Sequence, residues 1–401
     1  MFPVAHPVSG HPHLEVPIAL FAAVAFLVVL AVGLLVPRRT ASADRVNTAD
    51  RTDLASWESE LRPVQWVARA LVLGVLVLGV VAGRVGADSE LGNLAPALFV
   101  GVGWPLLFLG GLLVPGLWRW VDPWDSLSRL LAPGDRSGPG ADVRPAIVLA
   151  VAVLWYLAVF PRTLDPRALG AAVAAYTVLT TAGCIVRGRQ RWLSTAEPVG
   201  IVLTRLAGAR PGHVLRNPEA TGAAALLGVV AGGTLFAVLR RTELWTELVD
   251  VEDTLLMGTL GLAVCCAAGA ALSQLQVWGT LAMRPDAQSP PVPLVVLALA
   301  PAVAGIVVAV ALARNRMTNS LQLLPGLAGD PFGQGWDLLG DPAARPLDAA
   351  LLLTLQLSVL VLAHVWGAAL MARHADRQAR LPAVLLLGQL AAAGVAAVSL
   401  H

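Results

Sequence analysis

The chain contains no lysine, only three cysteines (Cys184, Cys265 and Cys266) and only 13% charged residues over 401 positions. A soluble domain of this size carries about a quarter charged residues. The shortfall, with 57% hydrophobic residues, excludes a soluble globular enzyme, a nucleic-acid binder and a disordered chain. The missing lysine also excludes a phosphate-cradling glycine loop that ends in Lys, and with it an ATPase of that type. No H-E-x-x-H zinc motif and no G-x-S-x-G nucleophile elbow occurs either. The cysteines lie in apolar runs. Adjacent Cys265 and Cys266 have neither redox-pair nor zinc-ligand spacing, so they read as small apolar fillers.

What is present is apolar sequence in long runs, with a mean hydropathy of +0.72. Crossing ~30 Å of hydrocarbon takes ~20 apolar residues at 1.5 Å each. Ten stretches qualify: 17–36, 65–86, 96–117, 145–162, 168–187, 221–240, 254–283, 292–313, 349–371 and 381–400. The sequence therefore predicts an all-α integral membrane protein, one polytopic domain over 1–401, in contact with the lipid bilayer. Pro17, Pro96, Pro145, Pro293 and Pro382 stand at or near helix starts, where a missing N–H costs nothing.

Orientation follows from the arginines. They concentrate in 38–69, 119–144, 187–216, 284 and 373–380, leaving Arg84, Arg162, Arg167, Arg240, Arg241, Arg314, Arg316 and Arg345 on the other side. That alternation predicts both termini outside a bacterial plasma membrane. Arg38 and Arg39 follow the first span and no basic residue precedes it, the reverse of a signal peptide, so the first span reads as a retained anchor. Residues 193–209 carry Val199, Val202, Leu203 and Leu206 on one face and predict an amphipathic helix lying on the inner membrane surface.

Three places hold chemistry-bearing residues. His6, His11 and His13, near Glu15, have the ligand types for copper or zinc; they also read as a solvated tail that binds nothing. His364 is an ionisable side chain inside a span, which points to a functional group with a partner or to an imidazole satisfied by a helix carbonyl. Asp330 and Asp337 frame Phe332 and Trp336 in the Gly-rich run 329–340. They can hold a metal or move a proton, or Asp330 can simply cap the turn that Pro331 begins. The Asp-Pro and Glu-Pro grammar recurs at Asp122-Pro123-Trp124 and Glu197-Pro198. No nucleic-acid partner is expected; a small-molecule substrate is left open.

Ten spans divide into five and five, the arithmetic of an inverted-repeat transporter. The expected pair of interrupted helices is Gly101-Val102-Gly103-Trp104-Pro105 in the third span and Leu299-Ala300-Pro301 to Gly305 in the eighth. A secondary transporter with its path between those spans and His364 as proton relay is one reading. A scaffold subunit, in which polar residues only pack helices, is another.

A third reading comes from resemblance. The N-terminal Ala5-His6…Gly10…Leu14…Val16-Pro17, the run Leu117-Trp118-Arg119-Trp120…Pro123-Trp124, and Asp330-Pro331-Phe332-Gly333-Gln334-Gly335-Trp336-Asp337-Leu338 resemble the fenitrothion-hydrolase-like family of actinobacterial membrane proteins. Ala363-His364-Val365-Trp366-Gly367 resembles that family's Gly-His-Val-Ala-Gly. The resemblance implies a membrane-embedded organophosphate ester hydrolase with His6, Asp330, Asp337 and His364 as its best residues. Family members carry a His-x-x-His pair before the Asp-Pro-Phe-Gly loop, whereas this chain reads Ala302-Val303-Ala304-Gly305 there.

Overall fold

The computed structural model describes residues 18–36, 61–114, 116–131, 138–209, 222–249, 254–282, 292–336, 338–374 and 377–399. Among them there are helices and connecting turns and no strand. In chain order the helices are α1 (Ile18–Leu35), α2 (Pro63–Val85), α3 (Trp104–Leu113), α4 (Leu117–Val121), α5 (Pro123–Leu131) and α6 (Arg144–Ala158). They continue with α7 (Pro166–Arg187), α8 (Arg189–Thr195), α9 (Pro198–Gly208), α10 (Ala223–Leu239) and α11 (Glu243–Leu248). The last are α12 (Thr254–Ala282), α13 (Val292–Leu312), α14 (Arg316–Gly329), α15 (Ala349–His374) and α16 (Arg377–Ser399). Among the described residues, eight helical stretches are long and apolar enough to cross a membrane. The fourth and sixth predicted spans are helices of 15 and 17 residues, α6 and α10. The protein is a polytopic all-α membrane protein.

Lipid tails are as apolar as leucine, so helices in a membrane associate through close contact of small residues rather than by burying apolar surface. The α10–α12 contact shows this. Gly228 and Gly232, one turn apart, lie against Gly269 and Cys265. A Cβ at Gly228 would stand 2.2 Å from the Gly269 carbonyl oxygen, and one at Gly269 would stand 2.1 Å from that of Gly228. The α13–α15 contact works the same way, with Gly305 against the Ala363 methyl and Gly367 against the Ala298 carbonyl. Ala363 and Gly367, which flank His364 in the sequence motif, thus serve close helix approach. Helix α13 is the central post, buried almost throughout and touching α3, α9, α10, α15 and α16.

Three features differ from the sequence expectation. The third span does not start as an α-helix. Pro96–Gly103 is π-helical, and regular α3 begins only at Trp104. A further helix, α14, occupies part of the connection after the eighth span. The chain reaches it through Arg314 and Asn315, both left-handed at φ 54° and 58°. The Asn315 amide fixes that bend, donating to the Leu347 carbonyl at 3.1 Å and accepting from the Leu347 N–H at 2.9 Å. Finally, α9 is covered on nearly all sides. Only Thr204 and Arg205 of its residues escape full burial, whereas an interfacial helix leaves one face to headgroups. Its small and branched residues fit beneath α3 and α13, and Leu203 and Leu206 meet Gly111.

Candidate functional site

At one end of the bundle the chain buries a charged cluster. Asp122 and Asp125 flank the start of α5, where Asp122 Oδ1 accepts the Asp125 N–H at 2.9 Å, the capping that Asp-Pro favours. Asp125 is 0% exposed and accepts from three arginines of separate elements. These are Arg69 Nη1 of α2 at 2.5 Å, Arg189 Nη1 of α8 at 2.5 Å and Arg129 Nε at 2.9 Å. Arg69 is also 0% exposed, and its Nε donates to the Arg119 carbonyl at 2.9 Å. A fully buried carboxylate is tolerable only when so paired.

Next to this cluster Glu197 caps α9, accepting from the Val199 N–H at 2.9 Å and the Gly200 N–H at 2.6 Å. It also accepts the hydroxyl of Tyr176. Burial pushes the Glu197 carboxyl up to about 7, against the opposing pull of those hydrogen bonds. Burial, then the neighbouring Asp125 carboxylate, also holds Asp122 well above its ordinary range. A carboxyl raised on folding contributes stability that is complete below its unfolded value, 4.5 for Glu197, and is lost as pH rises through about 7. Melting followed by tryptophan fluorescence should therefore show the protein more stable at pH 5.5 than at pH 8. Glu197→Gln should flatten that slope; an unchanged slope would remove Glu197 as its source.

Above Tyr176 lies a cavity of about 590 Å³, within the ~300–1,000 Å³ usual for small-molecule sites. Its walls come from α2, the π-helical turn with α3, α6, α7, α10 and α13. Trp118, Trp124 and Tyr176 close one end, with Trp124 edge-on to Tyr176 at 5.0 Å. The wall hydroxyls are already bonded: Tyr176 to Glu197, Tyr156 to the Thr163 carbonyl, Thr234 to the Val230 carbonyl. At its other end the cavity shares Leu157, Ala158, Arg241 and Arg316 with a vestibule of about 560 Å³. The vestibule is formed by residues from the connections around 88–90, 160–165 and 240–241 and by the start of α14. Those connections are the ones the arginine pattern assigns to a single face.

Of the sequence-selected residues, those described lie elsewhere. His6, His11, His13 and Asp337 lie outside the described residues. Asp330 sits in a loop whose Pro331 carbonyl rests on Gly86, and its carboxylate accepts the N–H groups of Gln334 at 2.8 Å and Gly335 at 2.6 Å. Burial raises its pKa, but those N–H groups and those of Trp336 and Gly333 outweigh burial and leave it below the ordinary value. His364 is fully buried in α15, with Nδ1 2.7 Å from the Leu360 carbonyl of its own helix and Nε2 unpartnered. It lies ~22 Å along the helix from the end nearest Asp330, by the 1.5 Å rise per residue. The structure does not bring Asp330 and His364 together, and neither lines the cavity. Among the described residues no three His, Cys, Asp or Glu side chains are grouped to hold a metal ion such as copper or zinc.

Sequence reasoning missed the Asp125 cluster and the paired arginines, which join residues far apart in the chain. The available signal was Arg69 inside the apolar run of α2. No family model, curated protein or solved structure matches this chain.

Proposed function

We propose that the protein is a secondary transporter whose substrate path runs through the cavity between the third and eighth predicted spans. One observation carries this reading. Leu98, Val100 and Leu107 of the third span face the same cavity as Val307, Val310 and Ala311 of the eighth. Each span departs from a plain α-helix, the third by its π-helical start before Trp104-Pro105 and the eighth by Pro301, which cannot donate to the ladder of α13. Interrupted helices flanking a central site are the usual architecture of such carriers, because a broken ladder lets backbone and side chains rearrange around a substrate. His364 has no part in this path. Tyr176, which lines the cavity floor, links it to Glu197 by its hydroxyl.

The test is accessibility from the two faces. Cys184, Cys265 and Cys266 are replaced by alanine, and one cysteine is introduced as Val100→Cys or Leu107→Cys. A membrane-impermeant methanethiosulfonate is then applied to right-side-out and to inverted vesicles. A carrier that alternates exposes the cavity to each face in turn, so labelling is expected from both. Labelling from one face alone would overturn the transport reading and leave a static binding cavity.

A further inference from the structure

The two ends of the cavity differ in chemistry, and the difference specifies an occupant. Arg241 and Arg316 lie at the junction of the wet vestibule and the apolar interior, both half-buried. Two nearby arginines are satisfied. Arg240 donates to the Ala158 and Val159 carbonyls, and Arg167 pairs with Asp88 at 2.9 Å. Among the described residues neither the Arg241 nor the Arg316 guanidinium has a hydrogen bond or ion pair, and Glu90, the nearest charge of opposite sign, is exposed at the rim. Burial and then the charges of Arg316, Arg314 and Arg240 lower Arg241 to about 10. Two like charges at the edge of a low-dielectric cavity are costly unless an anion joins them. The guanidinium fork suits the planar or tetrahedral oxygens of carboxylate or phosphate.

Below the arginines the cavity offers little polar recognition. The tyrosine and threonine hydroxyls of the wall are spent on internal bonds, and the remaining lining is aliphatic and aromatic. A small free anion would leave that volume empty. A molecule charged at both ends would bury one charge without a counter-ion, because the far end offers only the unpartnered Trp118 indole N–H among the described residues, at a cost that opposes binding.

We propose that the occupant is a single-headed anionic amphiphile, with its carboxylate or phosphate between Arg241 and Arg316 and its apolar chain along the cavity toward Trp118 and Trp124. This rests on the cavity being the substrate site and adds the substrate's chemical class.

The experiment uses the full chain in phosphatidylcholine nanodiscs, with thermal stabilisation as the readout. Dodecyl phosphate and laurate are expected to raise Tm saturably. Dodecanol and dodecyltrimethylammonium are expected to act at least about tenfold more weakly, as loss of charge-assisted bonds implies. Inorganic phosphate alone should give no shift. Arg241→Gln should melt no lower than wild type without ligand, because it removes a repulsion, and both it and Arg316→Gln should lose the preference for the anionic head. Val100→Trp, which intrudes on the path of the apolar chain, should weaken both responses. Equal stabilisation by charged and neutral chains, an undiminished preference in both glutamine variants, or full effect from inorganic phosphate would each overturn the assignment. If either glutamine variant does not fold, Val100→Trp and the ligand series still decide it. One-sided cysteine labelling with this ligand preference intact would defeat transport but not the amphiphile, and the reverse pattern would defeat only the amphiphile.

Discussion

Gly228→Leu protein is expected to aggregate on extraction, while Gly74→Leu elutes as a monodisperse peak like wild type. The two glycines have similar apolar surroundings in sequence but opposite ones in space. At Gly74 a Cβ meets nothing within 4 Å, whereas at Gly228 it falls on the Gly269 carbonyl and the Ser273 hydroxyl. Backbone cannot yield as a side-chain tip does. Helices α10 and α12 must separate, which takes with them the reciprocal contacts at Gly232 and Cys265. The cost should exceed the ~1–3 kcal/mol of ordinary overpacking, with Gly228→Ala intermediate. Size-exclusion profiles and melting midpoints check this. If Gly228→Leu matches Gly74→Leu, small-residue contact is not what joins these helices.

The second large effect concerns Asp125. Changing it to Asn leaves Arg69, Arg129 and Arg189 converging on an amide, with Arg69 0% exposed and Arg189 9% exposed. Removing one partner of a buried charge group costs ~3–5 kcal/mol. Unfolding by dodecyl sulfate titration, followed by fluorescence, should show the midpoint drop accordingly. Arg69→Leu combined with Asp125→Leu should recover part of it, since a matched apolar replacement strands fewer charges. A midpoint equal to wild type in Asp125→Asn would mean that water already screens the cluster.

The helices were legible because each apolar run has the length that hydrocarbon requires, and the ends of most described helices lie within a few residues of the predicted ones. The capping roles of Asp122 and Glu197 were legible too, because the carboxylate and the proline that follows it are local signals. Helix α14 was not, since its run is interrupted by polar residues and by Pro325 and reads as loop. The site was legible only in part. The third and eighth spans, singled out in sequence by their Gly and Pro residues, both line the cavity. Nothing local says that Arg241 stands beside Arg316, or that Arg69 meets Asp125. The arginines were counted for their side of the membrane, which records their number on each face and not their partners. His364 drew notice because a lone imidazole is conspicuous in an apolar run, yet its Nδ1 is satisfied within one turn.

Asn315 closes the excursion through α14 on itself, because its amide grips both backbone groups of Leu347. The chain thus departs and rejoins at one point. A peptide spliced into the exposed stretch around 338–341 changes the perimeter of that detour while its two roots stay clasped, and lengthening such a closed segment adds little entropy cost. The clasp thus lets this connection carry an inserted tag or a reporter while α13 and α15 stay held at its roots.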